Sequence, residues 1–240
     1  MDHEIRRDII LKLIHNPRMA YNELRSKKLP SNQFAYHLHS LENEGLIKKH
    51  EDGYGLTQEG RKLSTYIEGD TGGKAELPTP TVVVLVRDGK KILCQERLKE
   101  PFYGYWGFVS GKMNFGWNAI ECALRDLQEE TGLIAKNPKL RMVEFMKTKE
   151  GDKLLHHHIM FIVEVDEFSG ELVKKTHKAR HEWLTLEEYK RKKRFPEKWI
   201  ERILSDDDKL FIIEAIRYMK DGEFSRINTI SEEAYSSPTS

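Results

Sequence analysis

Three carboxylates, Asp126, Glu129 and Glu130, stand close together in the stretch from Gly111 to Leu133, GKMNFGWNAIECALRDLQEETGL, with a glycine leading into them. A helix from about Asn118 to Thr131 would place Ile120, Ala123, Leu124, Leu127 and Thr131 at i, i+3, i+4, i+7 and i+11, which marks a core face. Asp126, Glu129 and Glu130 then fall on the other side. Residues three and four apart are neighbours on a helix surface, so the three like charges repel one another unless a cation sits among them. A dense set of hard oxygen ligands suits magnesium or manganese, which keep several waters and commonly bridge to phosphates. Gly111 permits close approach of a backbone, the positive end of the helix dipole favours phosphate nearby, and Arg125 is placed to hold the carboxylates. The competing reading is a solvated acidic face with no ligand at all.

Other residues bear on the same chemistry. Arg97 and Lys112 are candidate phosphate contacts, and Trp106, Phe108 and Trp117 are candidate platforms for a base; solvated or core roles compete for each. His156, His157 and His158 lie in a strand pattern, KLLHHHIMFIVEV, where successive side chains alternate faces, so the three cannot converge on one ion. Cys94 and Cys122 form no CxxC or CxxH pattern and read as two small buried hydrophobes.

Several elements must position these groups. TVVVLVRDGKKILCQER gives two β-rich runs around Asp88-Gly89, a hairpin signal, and YGYWGFVSGK is a third extended run that delivers the chain to Gly111. Upstream, EGDTGGKAELPTP breaks the apolar pattern, so residues 70–80 read as a linker. The tail 226–240 lacks apolar periodicity and reads as disordered. Before the linker, Ile5, Ile9 and Leu13 mark a helix that stops at Pro17. A second helix fits Tyr21 to Lys27, and a third opens at Pro30-Ser31 with serine as N-cap. In the third helix Phe34, Leu38 and Leu41 point inward, which leaves Asn32, Gln33, Tyr36, His39 and Ser40 outside. Asp52-Gly53 then marks a hairpin, followed by a helix from about Gln58 to Ile67.

At 240 residues the chain is sized for two modest domains, 1–69 and 81–225, around the linker. Forty Lys and Arg nearly cancel 39 Asp and Glu, so no global field draws the molecule to nucleic acid or an anionic membrane. Nothing approaches the roughly 18 apolar residues of a membrane helix, and the charged start has no apolar signal core, so the expected address is the cytoplasm.

The stretch SNQFAYHLHSLENEGLIKKHEDGYGLTQEGRKL resembles the recognition helix, wing and following helix of winged helix-turn-helix regulators. That resemblance implies double-stranded DNA as a partner, with Asn32, Gln33, Tyr36 and Ser40 toward bases and Lys48, Lys49 and His50 toward phosphates. The charge agrees only mildly: residues 1–69 carry eleven Lys and Arg against ten Asp and Glu. A dimerisation or docking module is the alternative.

Gly111, Arg125-Asp126, Glu129-Glu130 and Gly132-Leu133 occur together at spacings that resemble the signature of the Nudix hydrolases. The resemblance implies an α+β chain overall: an N-terminal winged helix-turn-helix followed by a C-terminal Nudix α/β/α sandwich with a mixed sheet. It also implies Mg2+ or Mn2+ held by Asp126, Glu129 and Glu130, with these residues catalytic, and hydrolysis of a nucleoside diphosphate linked to another moiety. ARHEWLTLEEY is similar to the family segment in which a glutamate before tryptophan supplies a further ligand, which points to Glu182. Arg97, Gly111, Lys112 and Arg125 are the expected substrate contacts, and a homodimer is the expected assembly. Two positions depart from the pattern: Trp117 stands where a glutamate is expected, and Asp126 is one methylene shorter than the family's glutamate. Two functions remain open at this point, a metal-dependent pyrophosphohydrolase and a regulator in which the Nudix domain senses a nucleotide metabolite.

Overall fold

The structure, a computed structural model, describes residues 3–71, 73–205 and 209–236. It divides into two compact units, Met1–Leu77 and Pro78–Ser240.

The first unit is built from α1 (Glu4–His15), α2 (Tyr21–Leu24), α3 (Ser31–Asn43), the antiparallel pair β1 (Ile47–His50) and β2 (Gly53–Leu56), and α4 (Gln58–Ser64). Ile9, Ile10, Leu13, Leu24, Phe34, Leu38, Leu41 and Ile47 form its core. The helical spacing of these apolar residues therefore drives three short helices onto one another, as isolated helices of this length are marginal in water. Two expectations need correction. α2 stops at Leu24 instead of Lys27, and Ser31 is the first helical residue, with Pro30 in the N-cap position and no side-chain cap bond. The expected linker also begins late. Glu68 N–H donates to Gly73 O at 2.8 Å and Ala75 N–H to Tyr66 O at 2.9 Å, so the chain after α4 folds back on the first unit.

The second unit contains a mixed sheet of nine strands among the described residues, in the order β11 (Ala179–Thr185), β4 (Lys91–Arg97), β3 (Thr79–Asp88), β9 (Lys153–Val165), β8 (Lys139–Glu150), β12 (Lys209–Lys220) and β13 (Glu223–Ser236). Two short strands join it, β5 (Trp106–Gly107) on β4 and β6 (Val109–Lys112) on β3. β3 runs parallel to β9 and β12 parallel to β8; the other pairings are antiparallel. A separate pair joins β7 (Ile134–Lys136) to β10 (Glu167–Ser169).

Alternation along the strands makes both sheet faces apolar. Val82, Val84 and Val86 of β3 face the helix α5 (Ala119–Thr131), which contributes Cys122, Ala123 and Leu127 to that core. Val83 and Leu85 face the other way, onto α6 (Leu186–Lys190), α7 (Ile200–Ser205) and the rings of Tyr189 and Trp199. A strand buried on both faces reads as a continuous apolar run, which is what TVVVLV is. Helices thus cover both sides of the sheet, and the sequence region that carries the candidate chemistry lies on one of them.

The tail 226–240 was expected to be disordered, yet residues up to Ser236 continue β13 and pair with β12; 237–240 lie outside the described residues. β13 is an edge strand exposed on both faces over most of its length. Such a strand is held by its backbone ladder and needs no apolar alternation, so the pattern that betrays buried strands is absent from it. Removing residues 223–236 should expose β12 as the new edge: its amides should exchange at least about tenfold faster and the thermal midpoint should fall. Unchanged exchange would mean that the tail contributes nothing to the sheet.

Candidate active site

α5 starts on a capping box, in which Asn118 accepts from the Glu121 N–H at 2.9 Å and Glu121 accepts from the Asn118 N–H at 2.8 Å. It ends at Gly132, whose φ of 75° is the left-handed C-cap conformation that glycine adopts without strain. Both ends were legible in the sequence. The helix is rotated slightly from the expected pose: Cys122 and Asp126 are buried with Ala123 and Leu127, while Leu124 is only partly covered.

Asp126 therefore does not share the solvent face with Glu129 and Glu130. Its carboxylate lies over β6, where a Cβ on Gly111 would come within 2.1 Å of Asp126 Oδ2. Glycine is required at 111 because the carboxylate occupies the space a side chain would fill. Arg125 holds the other oxygen, donating from Nε to Asp126 Oδ1 at 3.1 Å and also from Nη2. Its guanidinium stacks 5.4 Å from the centroid of the Trp117 ring and lies 3.9 Å from Glu129. The hydrogen bond to Asp126 raises the Arg125 pKa above its ordinary value, with smaller contributions from the charges of Asp126 and Glu129. Asp126 Oδ2 is buried and, among the described residues, has no hydrogen-bond partner.

Glu130 is half-buried, and burial followed by the charge of Asp126 pushes its pKa up; Lys99, Lys178 and Arg97 oppose that rise. Arg97, at the end of β4, pairs in register with Ala179, and Leu98 N–H donates to Lys178 O at 2.8 Å, so three cations gather around Glu130. Arg97 is held by donating Nε–H to Pro101 O at 3.0 Å. Glu129, by contrast, leaves 68% of its side chain exposed.

The structure thus brings together Gly111, Arg125, Asp126, Glu130 and Arg97, with Glu129 at the rim. It does not bring Lys112 or Glu182 to them. Lys112 follows Gly111 on β6 and so points to the opposite face, where its charge is felt by His158. Glu182 pairs with Cys94 on the face away from α5, and its carboxylate lies 3.4 Å from Arg180 and 3.5 Å from Lys192; Trp183, one residue on, is the one that packs on the α5 side. Trp106 and Phe108 are core residues, and Trp106 is further covered by Lys192 at 4.3 Å and Arg180 at 5.4 Å from its ring. Only Trp117 of the three aromatic candidates is exposed. His156 and His158 share a face at 5.9 Å between ring centroids, and burial takes the His158 pKa down to about 4. Lys99 and Lys178 were missed because nothing local marks them; they meet through a loop contact between residues far apart in the chain.

Among the described residues no three His, Cys, Asp or Glu side chains already converge as a metal cage. The site nevertheless fits a hard divalent cation on two observations: an orphaned carboxylate oxygen on Asp126, and a glycine cradle beneath it. Magnesium-type sites use one or two carboxylates and keep waters and substrate oxygens for the rest, so an open arrangement of this kind is adequate.

In the first unit, Asn32, Gln33 and Tyr36 are exposed on α3, with Tyr36 71% exposed, and Ser40 is partly covered. The same surface carries acid: Ser40 donates to Glu44 at 3.1 Å and His39 lies 3.3 Å from Glu42. Lys48 and Lys49 are exposed but adjacent on β1, so their side chains leave on opposite sides of the hairpin. No helix among the described residues is long and apolar enough to cross a membrane.

Comparison with known proteins bears on the family and the fold. The sequence model of the NUDIX domain matches residues 77–203, just over half of the chain, and a model described as a domain of unknown function, DUF7347, matches residues 1–67. The uncharacterized Nudix hydrolase YvcI of Bacillus subtilis (strain 168) is 31% identical over 103 residues, which span 43% of this chain and 63% of that relative. The crystal structure of a mMutator MutT protein from Bacillus halodurans superposes with a TM-score of 0.52 at 23% identity, covering 65% of this chain and 97% of that one.

Gly111→Ala should force the Asp126 carboxylate out of its seat. The expected result is a loss of about 1–3 kcal/mol in stability, as for other overpacked sites, together with at least about a tenfold weaker Mn2+ affinity by calorimetry. Unchanged affinity would separate the glycine cradle from metal binding.

Proposed function

The chain belongs to the NUDIX family, and from that premise we propose that it is a metal-dependent hydrolase cleaving a nucleoside diphosphate linked to another moiety. The observation that supports this most is the seat of Asp126 on Gly111, an orphaned carboxylate oxygen beside the half-buried Glu130. Asp126 and Glu130, with Glu129 turning in from the rim, would hold Mg2+ or Mn2+. When bound, the cation would neutralise phosphate charge and make water a better nucleophile at neutral pH.

The protein's own groups have separable roles. Arg125 fixes Asp126 through Oδ1 and is itself braced against Trp117, so the tryptophan that stands in place of a glutamate supports the arginine without supplying a ligand. A cation over an aromatic ring contributes roughly 0.5–1 kcal/mol at an exposed site, enough to restrict the guanidinium. Glu130, whose pKa burial raises above the ordinary carboxylate value, is our candidate to accept the proton of the attacking water. Arg97, Lys99 and Lys178 would bind phosphate oxygens and offset charge that develops on them.

A second reading concerns the first unit. The exposed row of Asn32, Gln33 and Tyr36 on α3, followed by a hairpin, favours a winged helix-turn-helix that contacts double-stranded DNA, with the NUDIX domain sensing a nucleotide metabolite. Glu42 and Glu44 on the same surface would limit its electrostatic contribution. Fluorescence anisotropy with duplex DNA at low salt should then detect binding that weakens as salt rises and falls further in Tyr36→Ala. Absence of binding at low salt would remove this reading.

The hydrolase reading is tested with nucleotide sugars, dinucleotides and nucleoside diphosphate esters in Mg2+ or Mn2+. Phosphorus NMR should show cleavage of the phosphoanhydride, abolished by chelation, and Glu130→Gln should lower kcat by at least about a hundredfold with the thermal midpoint preserved. Equal turnover in the variant would exclude Glu130 from the chemistry.

A further inference from the structure

A cavity of about 390 Å³ opens between α7, β8, β12 and β13. Its lining includes Trp199 and Ile213, which belong to the core on the sheet face opposite α5. Two polar side chains are sunk into its wall. Glu144 and Trp199 are each only 2% exposed, and among the described residues neither Glu144 Oε2 nor Trp199 Nε1 has a hydrogen-bond partner. Leaving a buried polar group unsatisfied costs about 1–3 kcal/mol, so two together beside one cavity call for an explanation. A ligand that accepts from the indole N–H and donates to the carboxyl would satisfy both.

Charge narrows the class of ligand. The rim sets Lys198 and Arg202 against Glu201 and Glu232, with Arg202 paired to Glu232 at 2.7 Å, so these charges cancel and select neither an anion nor a cation. Burial raises the Glu144 pKa to about 7, which adds no fixed negative charge. Ile213 and Ile227 supply apolar walls. The volume falls in the range of small-molecule pockets and is ample for a nucleobase-sized ring.

We propose that this cavity binds a neutral aromatic nitrogen heterocycle, which presents a ring nitrogen to the Trp199 indole and an N–H to the Glu144 carboxyl. The site lies at β8, β12 and β13, whereas Gly111 lies on β6 beside β3, so the ligand is a second one and its binding does not depend on hydrolysis at α5. Lys198 at the lining is a donor for an acceptor substituent on the ring.

Calorimetric titration of the full chain with adenine tests this directly, because adenine carries an amino group beside a ring nitrogen. One saturable site is expected at millimolar or lower concentration, with purine, which lacks the amino group, about tenfold weaker. Trp199→Phe keeps an aromatic side chain but removes the indole N–H with its five-membered ring, and should weaken adenine at least about tenfold, the scale of one hydrogen bond. Ile227→Trp fills the cavity from the edge strand β13 and should abolish binding while the thermal midpoint stays close to that of the unaltered protein. Asp126→Asn should leave adenine binding intact. The proposal is overturned if adenine gives no saturable heat, if binding is indifferent to both Trp199→Phe and Ile227→Trp, or if Asp126→Asn removes it, which would assign adenine to the hydrolase site.

Discussion

The Asp126 carboxylate packs onto the backbone of Gly111 so closely that no side chain fits between them, and Arg125 grips its other oxygen while lying over Trp117. This contact ties α5 to β6, and β6 in turn is hydrogen-bonded to β3 in the middle of the sheet. A helix can be held that close only if its apolar face is complementary to the strands beneath, which is the task of Cys122, Ala123 and Leu127 against Val82, Val84 and Val109. Small residues at 122 and 123 let the helix approach, and the approach buries the carboxylate. At the proposed metal site, affinity and packing would thereby be coupled: the charge repulsion that a cation would relieve exists because the core pulls Asp126 inward beside Glu130.

The other components of the site are recruited by the sheet. Arg97 arrives because β4 ends there, and Lys178 because β11 pairs with β4 and the preceding loop accepts from Leu98. Three cations around Glu130 balance a negative helix end and two carboxylates, as the proposed binding of a phosphate there would require. The opposite face carries a different polar interior, in which Glu144 and Glu197 are both raised to about 7 by burial with Arg217 near each. One sheet thus separates two ionisable environments, with α5 and its cradle on one side and the cavity on the other.

Much of this was legible in the sequence wherever local periodicity and end signals act. The limits of α5 follow from Asn118, Glu121 and Gly132, and the β3–β4 turn follows from Asp88-Gly89. The polar half of the helix was harder to read, because a single strip of apolar residues does not fix the rotation of a helix: Cys122 belongs to the core, Leu124 only partly, and Asp126 moves inward with the difference. Glu182 was misplaced for a related reason. Motif spacing places it near tryptophan, but only the register with Cys94 shows that it faces away from α5. β13 was invisible because an edge strand solvated on both faces has no apolar pattern, and Lys99 and Lys178 because their meeting is a tertiary event.

The central claim is that Asp126, seated on Gly111, is a ligand for a divalent cation. Electron paramagnetic resonance of Mn2+ titrated into the protein reports the free ion directly. Asp126→Asn keeps the size of the side chain and removes its charge, which makes it the sharpest comparison. The unaltered protein should deplete free Mn2+ with a saturable site, and the asparagine variant should leave the free signal close to that of buffer. Equal depletion by both proteins would contradict the assignment of Asp126 as the anchor of the metal site.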